Sequence, residues 1–368
     1  AWTGRPAPAT GLLRQLPLEW TGATCVEKLA LVRADLVKAG AESLAVIKLD
    51  QIAWLFNLRG REEIPYNPVF EAYLFLDADG VHLFLRGGTR RLPDAFATTV
   101  HGLVVHDYDA FGAFLQGRRG RVAIDPSGIT RGVAKALEDA GCDVLRIPSP
   151  LEDRKAVKNK AEQEAMKRAN LLASVAKTRA LLWLRRELAA GRTITEDGFR
   201  LRIESFYAEQ EGFSGLSFNT IAATGPHSAI IHYGAGDGTP LRPGELFIID
   251  SGAHIGGGTT DDTRTVAVAG CDAEARRLYT LVLKGHIAAA RQKIPDGAPG
   301  TSLDALARSP LWNEGLTYDH GTGHGVGACL NVHEGPFGIA ERERRPYATN
   351  PLREGIVSSI EPGYYREG

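Results

Sequence analysis

The sequence predicts an α+β chain, in which an α/β domain precedes a domain of helices and a glycine-rich, mostly antiparallel sheet. Its 368 residues suffice for two or three domains of roughly 150 residues each. Helical and strand-like apolar patterns alternate through residues 19–152, whereas two helical segments followed by glycine-rich strand patterns occupy residues 153–368. Residues 1–18 are rich in glycine and proline without periodicity, and we predict that they form a linker.

The elements of the first domain follow from apolar periodicity and from turn residues. A helical face is predicted over 24–40. The turn sequence Asp77-Ala78-Asp79-Gly80 lies between two apolar runs, which predicts a β-hairpin. The other predicted elements are strands at 43–49, 70–76, 81–85, 121–125 and 143–147, and helices at 52–58 and 130–140.

The second domain begins after Pro148-Ser149-Pro150, which punctuates the chain. A long helix is predicted over 160–188, and a second helix is predicted to begin at Thr195. Strand-like and glycine-rich stretches follow, interrupted by a helix over 274–291.

Composition excludes several classes of function. Hydrophobic residues make up 43% of the chain and charged residues 24%, so we expect a large core and no extensive disorder. The formal net charge is −1, which provides no global field for nucleic acid or an anionic membrane, and no apolar run is long enough to span a membrane. Four widely separated cysteines without a CxxC pair predict reduced thiols in a cytoplasmic protein.

One candidate site is a hairpin of acidic residues. An apolar strand pattern ends at Asp250, and the glycines at 256–258 separate it from Asp261 and Asp262. Folding about the glycines is predicted to place Asp250 opposite one of these aspartates, with Cβ atoms ~4.5–5.5 Å apart. Such carboxylates repel each other unless a cation lies between them, and two metal ions about 3.5–4 Å apart would fit. The spacing does not select between the two aspartates, and it also allows a surface hairpin with one aspartate paired to Arg264.

A second candidate is rich in histidine and glycine. His320, His324 and His333 lie within fourteen positions, among glycines that permit close approach. Histidine is the commonest nitrogen ligand and an acid or base near neutral pH. The glycines argue against a helical HExxH site, and the segment has neither phosphate-loop nor GxGxxG spacing. The alternative is a set of scattered core histidines.

Two further segments are weak signals when each is taken alone. Glu361 closes an apolar strand pattern before Pro362-Gly363, where a carboxylate is common. His232 follows Ile230 and Ile231, which predicts a partly buried ring and favours a core histidine with satisfied hydrogen bonds.

Taken together and in this order, the segments resemble the aminopeptidase P branch of the pita-bread metallopeptidases. The resemblance rests on these motifs: IIHY at 230–233, IDSG at 249–252, TTDDTRT at 259–265, HGTGHGVG at 320–327, NVHEGP at 331–336 and SIEPGYY at 359–365. Residues 52–60 and 66–70 resemble the middle domain of the longer, three-domain members, and residues 2–6 resemble the tail of their first domain. The resemblance implies a creatinase-N-terminal-like α/β domain followed by a pita-bread catalytic domain.

The resemblance also implies roles for individual residues. The metal ligands fall on Asp250, Asp261, His324 and Glu361. His232 and His333 match histidines that bind substrate and take part in catalysis, and Glu361 is expected to help take a proton from water. His320 matches a nearby histidine, to which we assign a supporting role.

The same resemblance implies a fifth ligand that this chain does not reach. The family places a bridging glutamate, and an arginine that contacts substrate, in a strand that would follow Gly368. The chain also begins without an initiator methionine, so we expect a fragment truncated at both ends. The resemblance therefore does not imply that the given chain by itself holds both metals or turns over substrate.

The implied activity is release of an N-terminal residue from peptides with proline at the second position. The implied cofactors are two divalent ions, with Mn²⁺ favoured and Zn²⁺ or Co²⁺ accepted by the same ligands. Family analogy implies a homodimer, and neither nucleic acid nor membrane is an expected partner. Two alternatives stay open: an Xaa-Pro dipeptidase of the prolidase type, and a non-catalytic pita-bread module that binds a protein.

Overall fold

The computed structural model describes residues 3, 4, 7, 11–61, 63–78, 80–94, 96–234, 236, 238–341 and 346–367. Most of the predicted linker up to residue 10, and Asp79 of the predicted hairpin turn, lie outside the described residues. The chain divides into two compact units, Ala1–Lys155 and Ala156–Gly368. Within the described ranges, no helix combines the length and the apolar character that crossing a membrane requires.

The first unit is built from short strands and helices that alternate along the chain. Its strands are β1 (Arg14–Gln15), β2 (Ser43–Val46), β3 (Leu58–Arg59), β4 (Ala72–Leu76), β5 (Val81–Leu85), β6 (Leu103–Asp107), β7 (Arg121–Ile124) and β8 (Asp143–Arg146). Its helices are α1 (Leu18–Thr21), α2 (Cys25–Lys38), α3 (Leu49–Phe56), α4 (Phe96–Thr99), α5 (Phe111–Gln116), α6 (Arg131–Asp139) and α7 (Pro150–Ala156).

Six of these strands form a mixed sheet in the order β6-β5-β4-β2-β7-β8. β4 and β5 are antiparallel neighbours, which confirms the predicted hairpin, whereas β2, β7 and β8 run parallel. Phe111 and Leu137 from α5 and α6 pack on Phe75 and Phe84 of the sheet and form its core. The predicted α/β architecture is confirmed.

Several short elements of the first unit were not predicted, among them β6 and α5. β6 is an edge strand with a short apolar run of three residues, Leu103–Val105, and its residues are all exposed or half-exposed. α5 has only six residues, which is too short to show a helical period. The end of the predicted linker also carries structure, because Leu13 and Leu16 are buried and β1 pairs with β3.

The second unit begins with two helices and continues with short antiparallel strands. Its helices are α8 (Lys160–Ala189), α9 (Glu196–Ala208), α10 (Ala273–Arg291) and α11 (Thr301–Trp312). Its strands are β9 (Phe213–Leu216), β10 (Ile221–Thr224), β11 (Leu246–Ser251), β12 (Ala253–Ile255), β13 (Gly258–Thr259), β14 (Asp262–Ala267), β15 (Gly323–Gly325) and β16 (Glu334–Ile339).

The long helix α8 packs along the core of this unit. It begins at a capping box, in which Asn159 and Glu162 satisfy each other's backbone N–H groups. Its buried face is a stripe of small residues, whereas the larger Leu171 and Val175 remain exposed. Small side chains let the sheet approach closely, and the core beneath the helix includes Phe247 of β11. The predicted pair of helices followed by an antiparallel, glycine-rich sheet is confirmed.

The strands of the second unit form several small sheets. β10, β11 and β14 make one antiparallel sheet, and β9, β12 and β13 make another. Gly252 connects β11 to β12, and a Cβ at this position would collide with the carbonyl of Thr260. β15 pairs with β16 in a third sheet. The strand predicted before Glu361 is wrong as a continuous element, because only isolated bridges at Ile356 and Ser358 form there.

Candidate metal centre

The acidic hairpin differs from the predicted register. β11 and β14 pair so that Asp250 lies opposite Thr263, and neither Asp261 nor Asp262 faces it directly. The prediction was wrong in register only, because the hairpin folds about a two-residue turn at Gly256 and Gly257. That turn sets His254 opposite Thr259, and the same register continues to Asp250 and Thr263. Asp261 precedes Thr263 by two residues, so it lies on the same face of the sheet as Asp250. The two side chains are diagonal neighbours.

Asp262 belongs to the opposite face of the same strand. Its carboxylate accepts a hydrogen bond from Arg264 and lies 3.5 Å from the amine of Lys177 on α8. Lys177 also donates to the backbone carbonyl of Asp262. Asp262 therefore already has two cationic partners, Arg264 and Lys177, within the protein.

Asp250 is a half-buried residue whose carboxylate lies in an unfavourable environment. Burial and the neighbouring Asp261 raise the pKa of Asp250 to about 7, although Thr263 and Lys177 oppose the shift. Its Oδ1 atom is buried without a hydrogen-bond partner. Burying an unpaired carboxylate oxygen is costly, so this atom is suited to a bound cation.

His324 lies at the centre of β15. A Cβ at the preceding Gly323 would collide with the carbonyl of Ser359, so glycine is needed for this close approach. The Nδ1 atom of His324 lies 2.9 Å from the carbonyl of Gly325, which fixes the proton there and turns the lone pair of Nε2 toward the site. Nε2 lies 3.2 Å from Asp261 Oδ2 and 3.1 Å from Glu361 Oε1.

Glu361 reaches the same point from an extended segment. Its backbone N–H donates to the carbonyl of Thr322 at 2.7 Å, which aligns it beside the segment that carries His324. Ser359 donates its hydroxyl to Glu361 Oε1 at 2.8 Å and accepts a bond from the His324 N–H at 3.0 Å. Burial opposes the carboxylate, but His324 outweighs it and lowers the pKa of Glu361.

These side chains converge on a single point. Ligand atoms of Asp261, His324 and His333 all lie within 4.8 Å of one another. Burial disfavours a charged His324, yet Asp261 and Glu361 raise its pKa to about 10. Nε2 of His324 nevertheless makes no hydrogen bond of acceptable geometry. Carboxylate oxygens and an imidazole nitrogen that point at a common centre, rather than at each other, fit a divalent metal ion.

A buried salt bridge on α11 supports the histidine segment from behind. Arg308 is completely buried and donates to Asp304 at 2.8 Å and to the carbonyls of Tyr318 and His320 at 2.7 Å each. Asp304 also accepts a bond from Thr322. The helix thus fixes the chain that leads into His324 and, through Thr322, the backbone of Glu361.

A second buried ion pair lies beside His333. Lys158 donates to the carboxylate of Glu334, and both side chains are 1% exposed. The ring of His333 packs edge-on against that of His324, with ring centroids 4.2 Å apart. The buried pair therefore holds the start of β16, and with it His333, against the metal-facing imidazole.

His232 differs from its prediction. Ile230 and Ile231 are 53% and 43% exposed, and His232 is itself exposed. The partly buried ring predicted for His232 is wrong because the two isoleucines belong to a surface loop, not to a core strand. His232 adopts a left-handed backbone conformation, with φ at 60°. It adds to the influences that lower the pKa of His333, after burial and His324, so the two imidazoles lie within electrostatic range.

The sequence analysis did not predict Lys177, Asp304 or Arg308, although the positions of these residues on their helices indicate charged partners. Lys177 follows Ala173 by four positions on the buried stripe of α8, where an unexplained lysine indicates a buried partner. Asp304 and Arg308 are an i,i+4 pair on α11, which resembles an ordinary surface salt bridge. His320, expected to support the site, has its ring near Tyr365, with centroids 5.4 Å apart.

Comparison with known protein families agrees with this arrangement. The family described as Metallopeptidase family M24 matches residues 164–368. The Creatinase/Prolidase N-terminal domain matches residues 4–162. The fold predicted from the resemblance, an α/β creatinase-N-terminal-like domain followed by a pita-bread domain, is confirmed.

Curated relatives share the whole length of this chain. Probable Xaa-Pro aminopeptidase P of Paracoccidioides brasiliensis (strain Pb18) is 38% identical, with 99% of this chain and 61% of the relative aligned. The protein of the same name from Laccaria bicolor is 37% identical, with 99% and 57% aligned. This chain therefore spans about three fifths of the length of these relatives.

Solved structures give the same result. The X-prolyl aminopeptidase from Caenorhabditis elegans, described as a cytosolic enzyme with a di-nuclear active site, aligns with a TM-score of 0.93 and 35% identity, over 100% of this chain and 60% of that one. The Xaa-Pro dipeptidase from Bacillus anthracis aligns with a TM-score of 0.73 and 22% identity, over 94% and 92%, and shares the fold. With the family match covering more than half of its residues, the chain belongs to metallopeptidase family M24.

Proposed function

We propose that this protein is a metal-dependent aminopeptidase that releases the N-terminal residue from peptides with proline at the second position. The observation that carries the proposal is the convergence of His324 Nε2 with the carboxylates of Asp261 and Glu361, next to the unpaired Oδ1 of Asp250. Relatives named Xaa-Pro aminopeptidase P, at 38% and 37% identity, support the substrate class.

The metal ligands in this proposal are Asp250, Asp261, His324 and Glu361. Two divalent ions bound there would supply an activated water near neutral pH and a Lewis acid for the scissile carbonyl. The donor set of carboxylates with one imidazole suits Mn²⁺, and it also accepts Zn²⁺ or Co²⁺. The di-nuclear active site of the nematode relative supports a pair of ions.

The chain's own residues manage protons and charge in this reaction. Glu361 is within 3.1 Å of the site's imidazole, and we assign its carboxylate a second role, in which it accepts a proton from the attacking water. His232 and His333 are assigned to the substrate side, where they stabilise charge that develops on the carbonyl oxygen and help deliver a proton to the leaving nitrogen. We assign His320 a supporting role, with its ring centroid 5.4 Å from that of Tyr365.

The preference for proline has a physical basis. The bond before proline joins a tertiary amide without an N–H group, and the ring fixes φ at about −65°. A peptidase that binds its substrate backbone as an extended strand loses a hydrogen bond and meets the ring at this position. A dedicated site is therefore needed, and the exposed position of His232 leaves it accessible to such a peptide.

The direct test uses purified full-length protein, loaded with Mn²⁺, and matched peptides that differ only in proline or alanine at the second position. We expect release of the first residue from the proline peptide alone and loss of the activity with a chelator. Cleavage restricted to Xaa-Pro dipeptides would overturn the proposal in favour of a dipeptidase. Stoichiometric metal without any cleavage would overturn it in favour of a binding module.

Location and assembly complete the proposal. The nematode relative is described as a cytosolic enzyme, which supports a cytoplasmic location for this protein. We also propose a homodimer. Sedimentation equilibrium of the full-length protein tests the dimer, and a mass equal to one chain over the micromolar range would contradict it.

A further inference from the structure

A buried carboxylate outside the metal centre organises the loop that carries His232. Glu196 is the first residue of α9, and its side chain is completely buried. Its Oε1 atom accepts a bond from the Thr224 N–H at 2.7 Å. Burying a carboxylate costs free energy unless several hydrogen-bond donors satisfy it, so the contacts of Glu196 indicate its role.

The remaining partners of Glu196 come from the loop itself. The ring Nδ1 of His227 lies 3.1 Å from Oε1, and the Tyr233 hydroxyl donates to Oε2 at 3.2 Å. The rings of His227 and Tyr233 stack, with centroids 4.5 Å apart. Glu196 thus binds the loop at its start (Thr224), at its middle and at its end, where Tyr233 directly follows His232.

The loop needs such an anchor because backbone pairing does not extend through it. β10 ends at Thr224, and the chain continues as a short 3₁₀ helix, Gly225–Ala229, and a turn. His232 is exposed and sits in the left-handed region, where a residue other than glycine is strained. Neighbouring contacts must therefore hold this conformation.

We propose that Glu196 is a positioning residue, which holds the His232 loop in the geometry that the reaction needs. The inference rests on the proposed function of His232 as a residue on the substrate side. Glu196 itself does not touch substrate or metal in this scheme. It acts through the hydrogen bonds to Thr224, His227 and Tyr233, and its removal should change turnover with little effect on metal binding.

A double-mutant cycle tests whether Glu196 acts through His232. We expect Glu196→Gln to lower kcat roughly 10- to 100-fold, because misplacement of a reacting group by about 1 Å can cost 100-fold. KM should change less than kcat, and metal content should be unchanged. In a His232→Ala background the Glu196→Gln change should have no further effect on kcat. Equal effects in both backgrounds would overturn the proposal.

Two further variants keep the test decisive. Tyr233→Phe removes one of the three anchors without leaving a buried carboxylate unpaired, and we expect it to lower kcat about fivefold, the equivalent of one hydrogen bond. This variant answers the question if Glu196→Gln does not fold. Glu204→Gln is the matched control, because Glu204 lies on the same helix and forms a half-buried pair with Arg200 that does not involve the loop. It should leave kcat unchanged.

Hydrogen exchange separates this inference from the proposed function. In Glu196→Gln we expect faster exchange of the backbone amides at 225–234, with no change in β11. Unchanged exchange in the loop would overturn the anchoring role. If the unsubstituted protein releases no N-terminal residue, the proposed function fails, and the exchange result alone then decides whether Glu196 anchors the loop.

Discussion

The two units each bury an aspartate, and the two residues have opposite properties. In the first unit, Asp50 of α3 lies 3.1 Å from the amine of the buried Lys155. Burial penalises its carboxylate, but Lys155 outweighs burial and lowers the pKa of Asp50. In the second unit, burial and Asp261 raise the pKa of Asp250 to about 7. One carboxylate has a dedicated cation, whereas the other has a second carboxylate beside it.

The difference shows how to distinguish a buried carboxylate that is paired within the protein from one that is suited to binding a cation. The ion pair of Asp50 is complete within the protein, so nothing further is needed to stabilise it. Asp250 keeps an unpaired oxygen although Lys177 lies nearby, because that lysine is committed to Asp262. A buried acid without its own cation indicates a site for one from outside.

The largest expected effect on kcat comes from removing a carboxylate that has no cation of its own within the protein. We expect Asp250→Asn or Asp261→Asn to lower kcat by about 10³-fold or more, since the metal supplies several kcal/mol of transition-state stabilisation. Elemental analysis should show reduced metal content in both variants. Asp262→Asn is the control, because that side chain lies on the opposite face, and it should retain metal. Full metal content in Asp261→Asn would show that Asp261 is not a metal ligand and would contradict the contrast with Asp262.

The two histidines on the substrate side should show the next largest effect. We expect His232→Ala and His333→Ala each to lower kcat by roughly 10²- to 10⁴-fold, the range for general acid–base groups, with metal content retained. His333 is the more demanding case, because its ligand atom lies within 4.8 Å of those of Asp261 and His324. Metal lost from His333→Ala would make this residue a ligand and remove it from the catalytic pair.

A smaller effect is expected at Ser359, whose hydroxyl joins Glu361 to the backbone of His324. Residues that orient metal ligands typically contribute 10- to 100-fold, so we expect Ser359→Ala to weaken metal affinity by about that factor. Calorimetric titration of the metal-free protein with Mn²⁺ measures the change in metal affinity. Ser358→Ala is the neighbouring control, since the Ser358 hydroxyl bonds only to the Ser359 carbonyl among the contacts described. Equal affinities for both variants would contradict the role.

The sequence indicated which residues to group in the candidate site, but not the strand register that brings them together. The resemblance implied Asp250, Asp261, His324 and Glu361 as metal ligands, a prediction that stays open, and the structure brings these side chains near one another. The predicted pairing of Asp250 with Asp261 or Asp262 was wrong because the register depends on which residues form the turn. Three consecutive glycines, at 256–258, do not show which two of them form the turn, and a turn one residue earlier would pair Asp250 with Asp261.

The supporting residues could not be predicted, for a related reason. From the sequence alone, Glu196 is an acidic residue that stabilises the first turn of a helix, and Arg308 is expected to pair with Asp304 at the surface. Their functions depend on partners from 10 to 37 residues away, such as Tyr318 and Tyr233. Long-range hydrogen bonds leave no periodic pattern, so only the folded chain reveals them.

The smallest expected effect on turnover belongs to Asp50, and its test lies in stability. Asp50→Asn should leave kcat unchanged and lower the free energy of unfolding by about 3 kcal/mol, because it removes the nearer carboxylate of the buried Lys155 amine and leaves Glu152 at 4.0 Å. The lowered pKa means that this pair contributes stability above the ordinary aspartate pKa of about 3.9, and that the contribution disappears as the pH falls through the lower folded-state pKa. The difference between wild type and variant should therefore narrow below about pH 4.

Asp250 should respond in the opposite sense in metal-free protein. Its raised pKa means that the charged form is disfavoured in the folded state, so at pH 8 Asp250→Asn should increase the free energy of unfolding. Urea unfolding of both variants at pH 8, with chelator present, measures the two signs side by side. If Asp250→Asn destabilises the metal-free protein as Asp50→Asn does, the carboxylate already has a sufficient partner in the chain. The distinction between the two buried aspartates would then be wrong.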